Sequence, residues 1–406
     1  MNATFRREIK TPADMGLAEQ ASAEQRMARR YYFSDPNMDL FFMSALSWGP
    51  AGGLEVGQTW HIAGRIVDGD ADSWVHAFAD FGEQQNKQAD TWATRGWTRA
   101  AGEARLKAFA AWRSAWQFAE AGSHTFIALY NSHRRAFAKA MIELSLPVQF
   151  FRMPYEGKTL PGLFLRHPAP SAPVVLIVGG ADTCHEDLFL STGRALWDRG
   201  YSVALIDLPG QGDTPCENLH WPTEPERAIS AVIDMLIAKF GASAGRIALM
   251  GLSLGGYFVT RAAMTELRLA TVIASTPFPR PWELFSLSIE AQKKIVKPAT
   301  ALLRSRRMFC WKAGVDTPEQ IEQRWRDAYA DPEAVTVPFL SVVGLGDSHV
   351  FTSQAFSWHN RLASYRKELV LLDAATGADA HCQVNSRLRL VQEACGWMDD
   401  IFASSQ

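Results

Sequence analysis

The sequence lacks the features that place a chain in a special class at sight. It has no excess of either charge: 41 Lys and Arg stand against 43 Asp and Glu, a formal net charge of −2. Nucleic acid and anionic membrane both call for a basic face, so neither is expected as the main partner. No apolar run approaches the roughly 18 residues that would cross a bilayer. The first ten residues, MNATFRREIK, are polar and hold no apolar core of the kind a secretion signal needs. Cysteine is scarce, with five residues (Cys184, Cys216, Cys310, Cys382, Cys395), and there is no CxxC pair. An odd, scattered set excludes a disulfide framework and gives no zinc spacing. Reduced thiols in a cytoplasmic protein are the expectation. Internal repeats and low-complexity tracts are missing as well.

What is present is a globular composition, 47% hydrophobic and 21% charged, over 406 residues. That length suits one large α/β domain with an addition, or two to three smaller domains. Aromatic residues are plentiful, with 14 Trp and 23 Phe.

Residues 1–145 read as helical, and half of the Trp residues lie there: Trp48, Trp60, Trp74, Trp92, Trp97, Trp112 and Trp116. Phe109, Trp112, Trp116 and Ala119 fall on one helical stripe. The texture changes near Leu146, where PVQFFRMPYEGKTLPGLFLRHP reads as two strands around a turn at Glu156-Gly157-Lys158. Buried strands follow in VVLIVGG, YSVALID, RIALMGLS, ATVIAS, VPFLSVVG and ELVLLD, with helical patterns between them. Such alternation predicts βαβ units and a mostly parallel sheet. Functional residues are then expected at the carboxyl ends of strands.

Gly251-Leu252-Ser253-Leu254-Gly255 is a G-x-S-x-G pattern lying where a strand ends and a helix begins. The glycines allow a sharp turn that lifts the serine hydroxyl above the sheet, so Ser253 is the candidate nucleophile. A serine needs a base, and the base an orienting carboxylate, in the chain order Ser, Asp or Glu, His. Asp347 follows the strand ending in Gly344, and His381 follows the last strand. His349 is the rival base, but it sits on the acid's own loop. Asp379 reads as a loop or capping residue, and Asp207 as the first residue of a PGQG turn.

An oxyanion formed by attack on a carbonyl needs two N–H donors. Leu254 offers one, and either Gly180 or Ala181, after the 174–178 strand, offers the other. Asp182, His185 and Glu186 make that loop polar. They either touch the substrate or form a capping and salt-bridge cluster. Tyr257, one turn past the nucleophile, is a further candidate for substrate contact.

Four segments carry a resemblance to a known group: PYEGKTLPGLFLRHP, VVLIVGGADTCHEDL, DLPGQGDT with MGLSLGG, and GADAHCQ. Together they resemble α/β-hydrolases with a helical N-terminal extension. That group includes 2,6-dihydroxypseudooxynicotine hydrolase, the fermentation–respiration switch proteins and the fungal polyketide-shortening hydrolases of pigment pathways. The resemblance implies a catalytic domain over 146–406, a helical cap over 1–145, and the triad Ser253, Asp347 and His381. It further implies hydrolysis of an ester or of a carbon–carbon bond beside a ketone, on a bulky apolar or aromatic substrate, with acyl transfer or cyclisation as the alternative outcome. The loop ADTCHED departs from the glutamate and lysine of the nicotine-degrading members. Segment 278–335 is expected to extend the cap. Its basic residues (Lys293, Lys294, Lys297, Arg304, Arg306, Arg307) read either as a landing site for a carrier-protein-bound acyl chain or as a solvated helix face. No cofactor or metal is expected, the substrate is a small molecule, and the assembly expected is a homodimer.

Overall fold

The computed structural model describes residues 25–403, so the first part of the expected helical region lies outside the described residues. Five helices come first: α1 (Pro36–Ser47), α2 (Val56–Ala63), α3 (Ala71–Thr94), α4 (Thr98–Trp116) and α5 (His124–Glu143). Three of them, α1, α3 and α5, begin at a short acceptor side chain. Asp35 caps α1 through the Asn37 and Met38 amides, and Ser123 caps α5 through the Phe126 amide.

A hairpin follows, β1 (Val148–Tyr155) and β2 (Lys158–Leu165). After it come β3 (Val174–Val178), then α6 (His185–Leu188) and α7 (Arg194–Trp197) joined by a π turn, then β4 (Ser202–Ile206) and α8 (Glu226–Phe240). The central strand β5 (Ile247–Leu252) leads into α9 (Leu254–Ala263) and β6 (Leu269–Ser275). Three helices, α10 (Pro281–Lys293), α11 (Thr300–Ala313) and α12 (Pro318–Trp325), separate β6 from β7 (Phe339–Gly344). The chain ends with α13 (His349–Arg361), β8 (Lys367–Leu372) and α14 (Arg387–Ala403).

The eight strands form one sheet in the order β1-β2-β4-β3-β5-β6-β7-β8. β1 and β2 pair antiparallel, as does β2 with β4, and every later pairing is parallel. Every residue of β3, β4, β5 and β7 is buried, which is why these segments read as unbroken apolar runs. Strand order reverses at β3, which has β4 on one side and β5 on the other. A crevice opens at the carboxyl ends of strands at such a point.

The helical layer and the sheet share one core. A single cluster joins Trp74, Phe109, Trp116 and Phe137 of the helices to Leu163, Val175 and Ile177 of the strands. α4 lies between α3 and α5 and is buried nearly all round from Ala104 to Trp116. Its Trp stripe therefore packs the core. Truncating Trp116 to Ala would cost about 3–5 kcal/mol. Trp60 and Trp97 are exposed, and of the seven N-terminal Trp residues only Trp48 borders a cavity beside the candidate nucleophile.

The basic residues of 293–307 are dispersed rather than gathered on one face. Arg304 pairs with Asp72 and Glu120, Arg307 pairs with Glu120, and Arg306 borders the apolar cavity described below. α11 is thus tied to the N-terminal helices through Arg304 and Arg307. Among the described residues no helix is long and apolar enough to cross a membrane.

Candidate active site

Ser253 occupies the turn between β5 and α9 with φ 55° and ψ −121°, a backbone region that side chains rarely adopt. The turn is possible because a Cβ on Gly251 would stand 2.2 Å from the Gly255 carbonyl oxygen, and one on Gly255 would stand 2.5 Å from that of Val178. Such strain is stored where the surroundings fix the geometry. The hydroxyl it presents is met by His381, whose Nε2 lies 2.8 Å from Ser253 Oγ. On the far side of the ring, His381 Nδ1 lies 2.6 Å from Asp347 Oδ2. Asp347 is buried at the end of β7, its other oxygen accepting from the Ser348 amide at 2.8 Å. His381 is fastened by its own amide, which donates to the Arg26 carbonyl at 2.8 Å, and by packing against Phe351. Burial pulls the imidazole pKa down, but the Asp347 carboxylate outweighs it and holds the ring above its ordinary value.

The rivals are placed elsewhere. His349 opens α13, and the ring that reaches Ser253 is that of His381. Asp379 accepts from Asn385 Nδ2 at 2.9 Å, in keeping with a loop role. Asp207 does more than shape a turn: it is buried with its Oδ2 2.7 Å from His185 Nδ1.

The loop after β3 lies against Ser253. A Cβ on Gly180 would come 2.7 Å from Ser253 Cβ. Gln211 donates through Nε2 to the carbonyls of Gly179 at 2.5 Å and Gly180 at 3.3 Å, and Thr183 Oγ1 donates to Gly180 at 3.1 Å. In a trans peptide the N–H points opposite to the C=O. Fixing the Gly180 carbonyl on one side therefore turns the Ala181 N–H to the other, and Ala181 borders the cavity beside Ser253. The second donor, Leu254, is the first residue of α9, where amides have no partner within the helix. Nothing in the sequence marks Gln211 as part of the site beyond its turn. Its position in the PGQG turn is the one signal it gives.

The polar residues of this loop divide. Asp182 borders both cavities around Ser253. Its backbone carbonyl accepts from Arg113 of α4, and its Oδ1 accepts from Gln117 Nε2 at 3.1 Å. His185 and Glu186, expected as possible substrate contacts, are instead buried under the loop and border neither cavity. Glu186 stands 3.3 Å from His185 Nδ1, 3.7 Å from His133 Nε2 and 3.5 Å from Arg134 Nε. Burial opposes ionisation of Glu186, yet His185, His133 and the Arg134 charge together hold its carboxyl well below the usual range. Tyr257 is likewise corrected: it is fully buried, donates to the Thr223 carbonyl at 2.7 Å and lies off the cavities. Two overlapping groups have the donor types for a metal ion, His133–Cys184–Glu186 and His185–Glu186–Asp207, with ligand atoms within 4.8 Å of one another.

A match to the model of the alpha/beta hydrolase family covers residues 174–399, more than half of the chain. The chain belongs to the alpha/beta hydrolase family. This alpha/beta hydrolase is 33% identical over 248 residues to a 20-hydroxy-prefusarin hydrolase of Gibberella moniliformis, covering 57% of this chain and 58% of the relative. The chain thus spans little more than half the length of the first curated relatives that it matches. A Fusarium hydrolase is 26% identical over 89% of this chain and 95% of its own. The crystal structure of 2,6-dihydroxy-pseudo-oxynicotine hydrolase superposes with a TM-score of 0.70 at 19% identity, covering 88% of this chain and 96% of that one, a likeness of fold.

Proposed function

We propose that the protein is a serine hydrolase that works through an acyl-enzyme on a bulky, apolar or aromatic ketone or ester. The observation that carries this reading is the continuous path from Asp347 Oδ2 through His381 to Ser253 Oγ, opening on a cavity rich in aromatic side chains. Ser253 attacks a carbonyl as His381 takes its proton, and Asp347 keeps the imidazole in the tautomer that can accept it. The Ala181 and Leu254 amides meet the developing oxyanion. His381 returns the proton to the leaving group, and water clears the acyl-enzyme.

Trp221, Phe278, Phe285, Phe309 and Phe351 line the cavity and fit an aromatic or polyketide-like acyl group. A relative named for hydrolysis of 20-hydroxy-prefusarin supports a substrate of secondary-metabolite type. The helices over 36–143 act as a cap that carries Phe41 to the cavity. A fluorophosphonate probe tests the reading directly. The expected result is a label on Ser253 that is lost, together with turnover, in a folded Ser253→Ala variant. Turnover retained in that variant would sink the proposal.

A further inference from the structure

Ser253 stands at the junction of two cavities. Both are bordered by Arg26, Phe41, Ala181, Asp182 and Ser253. The first is the aromatic-rich cavity. The second is more mixed: Leu40, Trp48 and Val384 stand on its walls beside the polar Arg113, Asp187 and Arg387, and it also reaches His381 and Cys382. A nucleophile between an apolar arm and a mixed arm can hold the two halves of a substrate on opposite sides of the bond it breaks.

The two arginines of the mixed arm differ. Arg113 is committed, its Nε to Asp187 Oδ2 at 2.5 Å and its Nη2 to the Asp182 carbonyl. Arg387 donates through Nη1 to the carbonyl of Cys382, the residue after His381, at 2.6 Å. Its Nε is buried with no hydrogen-bond partner. Among the described residues no carboxylate oxygen lies within 4.0 Å of its guanidinium. Burial pushes its pKa down and outweighs the opposing pull of Cys382 and Asp187, neither of which contacts the guanidinium as a carboxylate pair would. A buried guanidinium with no carboxylate in contact is costly, and an anion delivered from outside would offset that cost.

We propose that the mixed cavity is the leaving-group subsite, and that Arg387 receives the enolate oxygen released when the carbon–carbon bond of a 1,3-dicarbonyl substrate breaks. The proposal rests on the acyl-enzyme reading above. Ser253 Oγ adds to one carbonyl carbon and forms the tetrahedral oxyanion. As that oxyanion collapses, the bond to the central carbon breaks, and its electron pair moves onto the neighbouring carbonyl as an enolate oxygen. Protonated His381 gives its proton to the central carbon, which leaves as a ketone. Water then adds to the acyl-enzyme and releases a carboxylic acid, so the sum is one diketone plus one water giving one acid and one ketone. An ester needs no such help, because its leaving oxygen is protonated directly by His381.

The test compares an aryl 1,3-diketone with a nitrophenyl ester on the full-length protein, Arg387→Met and Arg387→Lys, with fluorophosphonate labelling of Ser253 in each. Loss of one charge-stabilising donor typically lowers kcat by about 10²–10³. The ratio of diketone to ester turnover is expected to fall by about that factor in Arg387→Met and by about tenfold in Arg387→Lys, with Ser253 still labelled. A ratio that stays at the wild-type value in either variant overturns the proposal, as does a wild-type enzyme that cleaves the ester and not the diketone. If Arg387→Met loses its cooperative unfolding transition, Arg387→Lys alone decides. Failure of the underlying reading looks different: Ser253 in the wild-type enzyme would take no label.

Discussion

Gln211 reaches back from the turn after β4 to donate to the Gly179 carbonyl at 2.5 Å, and through this contact the turn and the loop beside Ser253 are fastened together. The same amide oxygen accepts from the Leu208 N–H at 3.0 Å, so the side chain is used at both ends and is fully buried. Replacing it with Leu removes the donor from two carbonyls and frees the peptide that aims the Ala181 N–H. An unpaired buried carbonyl costs about 1–3 kcal/mol. The expected outcome for Gln211→Leu is a lower melting temperature and a kcat down about tenfold to hundredfold, with a much smaller change in KM, since the amide it positions acts on the oxyanion rather than on the bound substrate. Steady-state kinetics beside a thermal melt would check this. An equal loss in kcat and 1/KM would mean that the loop serves binding instead.

Gly180→Ala probes the same loop from the other side. The new methyl would stand 2.7 Å from Ser253 Cβ and 3.2 Å from the Leu252 carbonyl oxygen, neither of which can swing away. The loop has to retreat, at about 1–3 kcal/mol of overpacking. The expected result is labelling of Ser253 by fluorophosphonate slowed at least tenfold while the protein still melts cooperatively.

These contacts mark what the sequence leaves hidden. β3, β4, β5 and β7 are legible because both faces are covered, so nearly every residue is apolar, with Ser202 and Ser341 the exceptions. Ser253 is legible because its turn demands glycine on both sides, and Asp347 and His381 because strand ends and chain order constrain them. Gln211, Arg113 and the His185–Asp207 pair are not legible in this way. Their partners lie far off in the chain, and a polar residue reads the same whether it faces water or a buried carbonyl. An aromatic stripe on a helix says that a face is covered, and in α4 the cover is protein rather than ligand.

His359 gives a prediction about acid stability. Its ring is buried in α13, and burial, with the Lys367 charge nearby, pushes its pKa down to about 4. Unfolding restores an ordinary value of about 6.5. Between those two values the unfolded chain binds the extra proton, so stability is fully present above about pH 6.5 and is lost as pH falls toward 4. His359→Leu should flatten that limb of a stability-versus-pH curve from chemical denaturation. A limb of unchanged slope would assign the acid sensitivity to other groups.

Asp347→Asn separates the charge of the acid from its shape. In the native site the Asp347 carboxylate favours the imidazolium of His381, against burial, and raises its pKa above the ordinary value. The neutral imidazole is the form that can take the Ser253 proton, so kcat/KM should rise with pH through that raised value. Asn keeps the size of the side chain but removes the charge, leaving burial as the main influence and moving the midpoint of the rise to lower pH. It also removes the acceptor that holds Nδ1–H in place, and such a change has cost about 10⁴ in kcat in a triad of this kind. The expected pH profile of the variant is thus far lower in amplitude and shifted toward acid. A profile lowered in amplitude with its midpoint unmoved would show that Asp347 orients His381 without setting its charge.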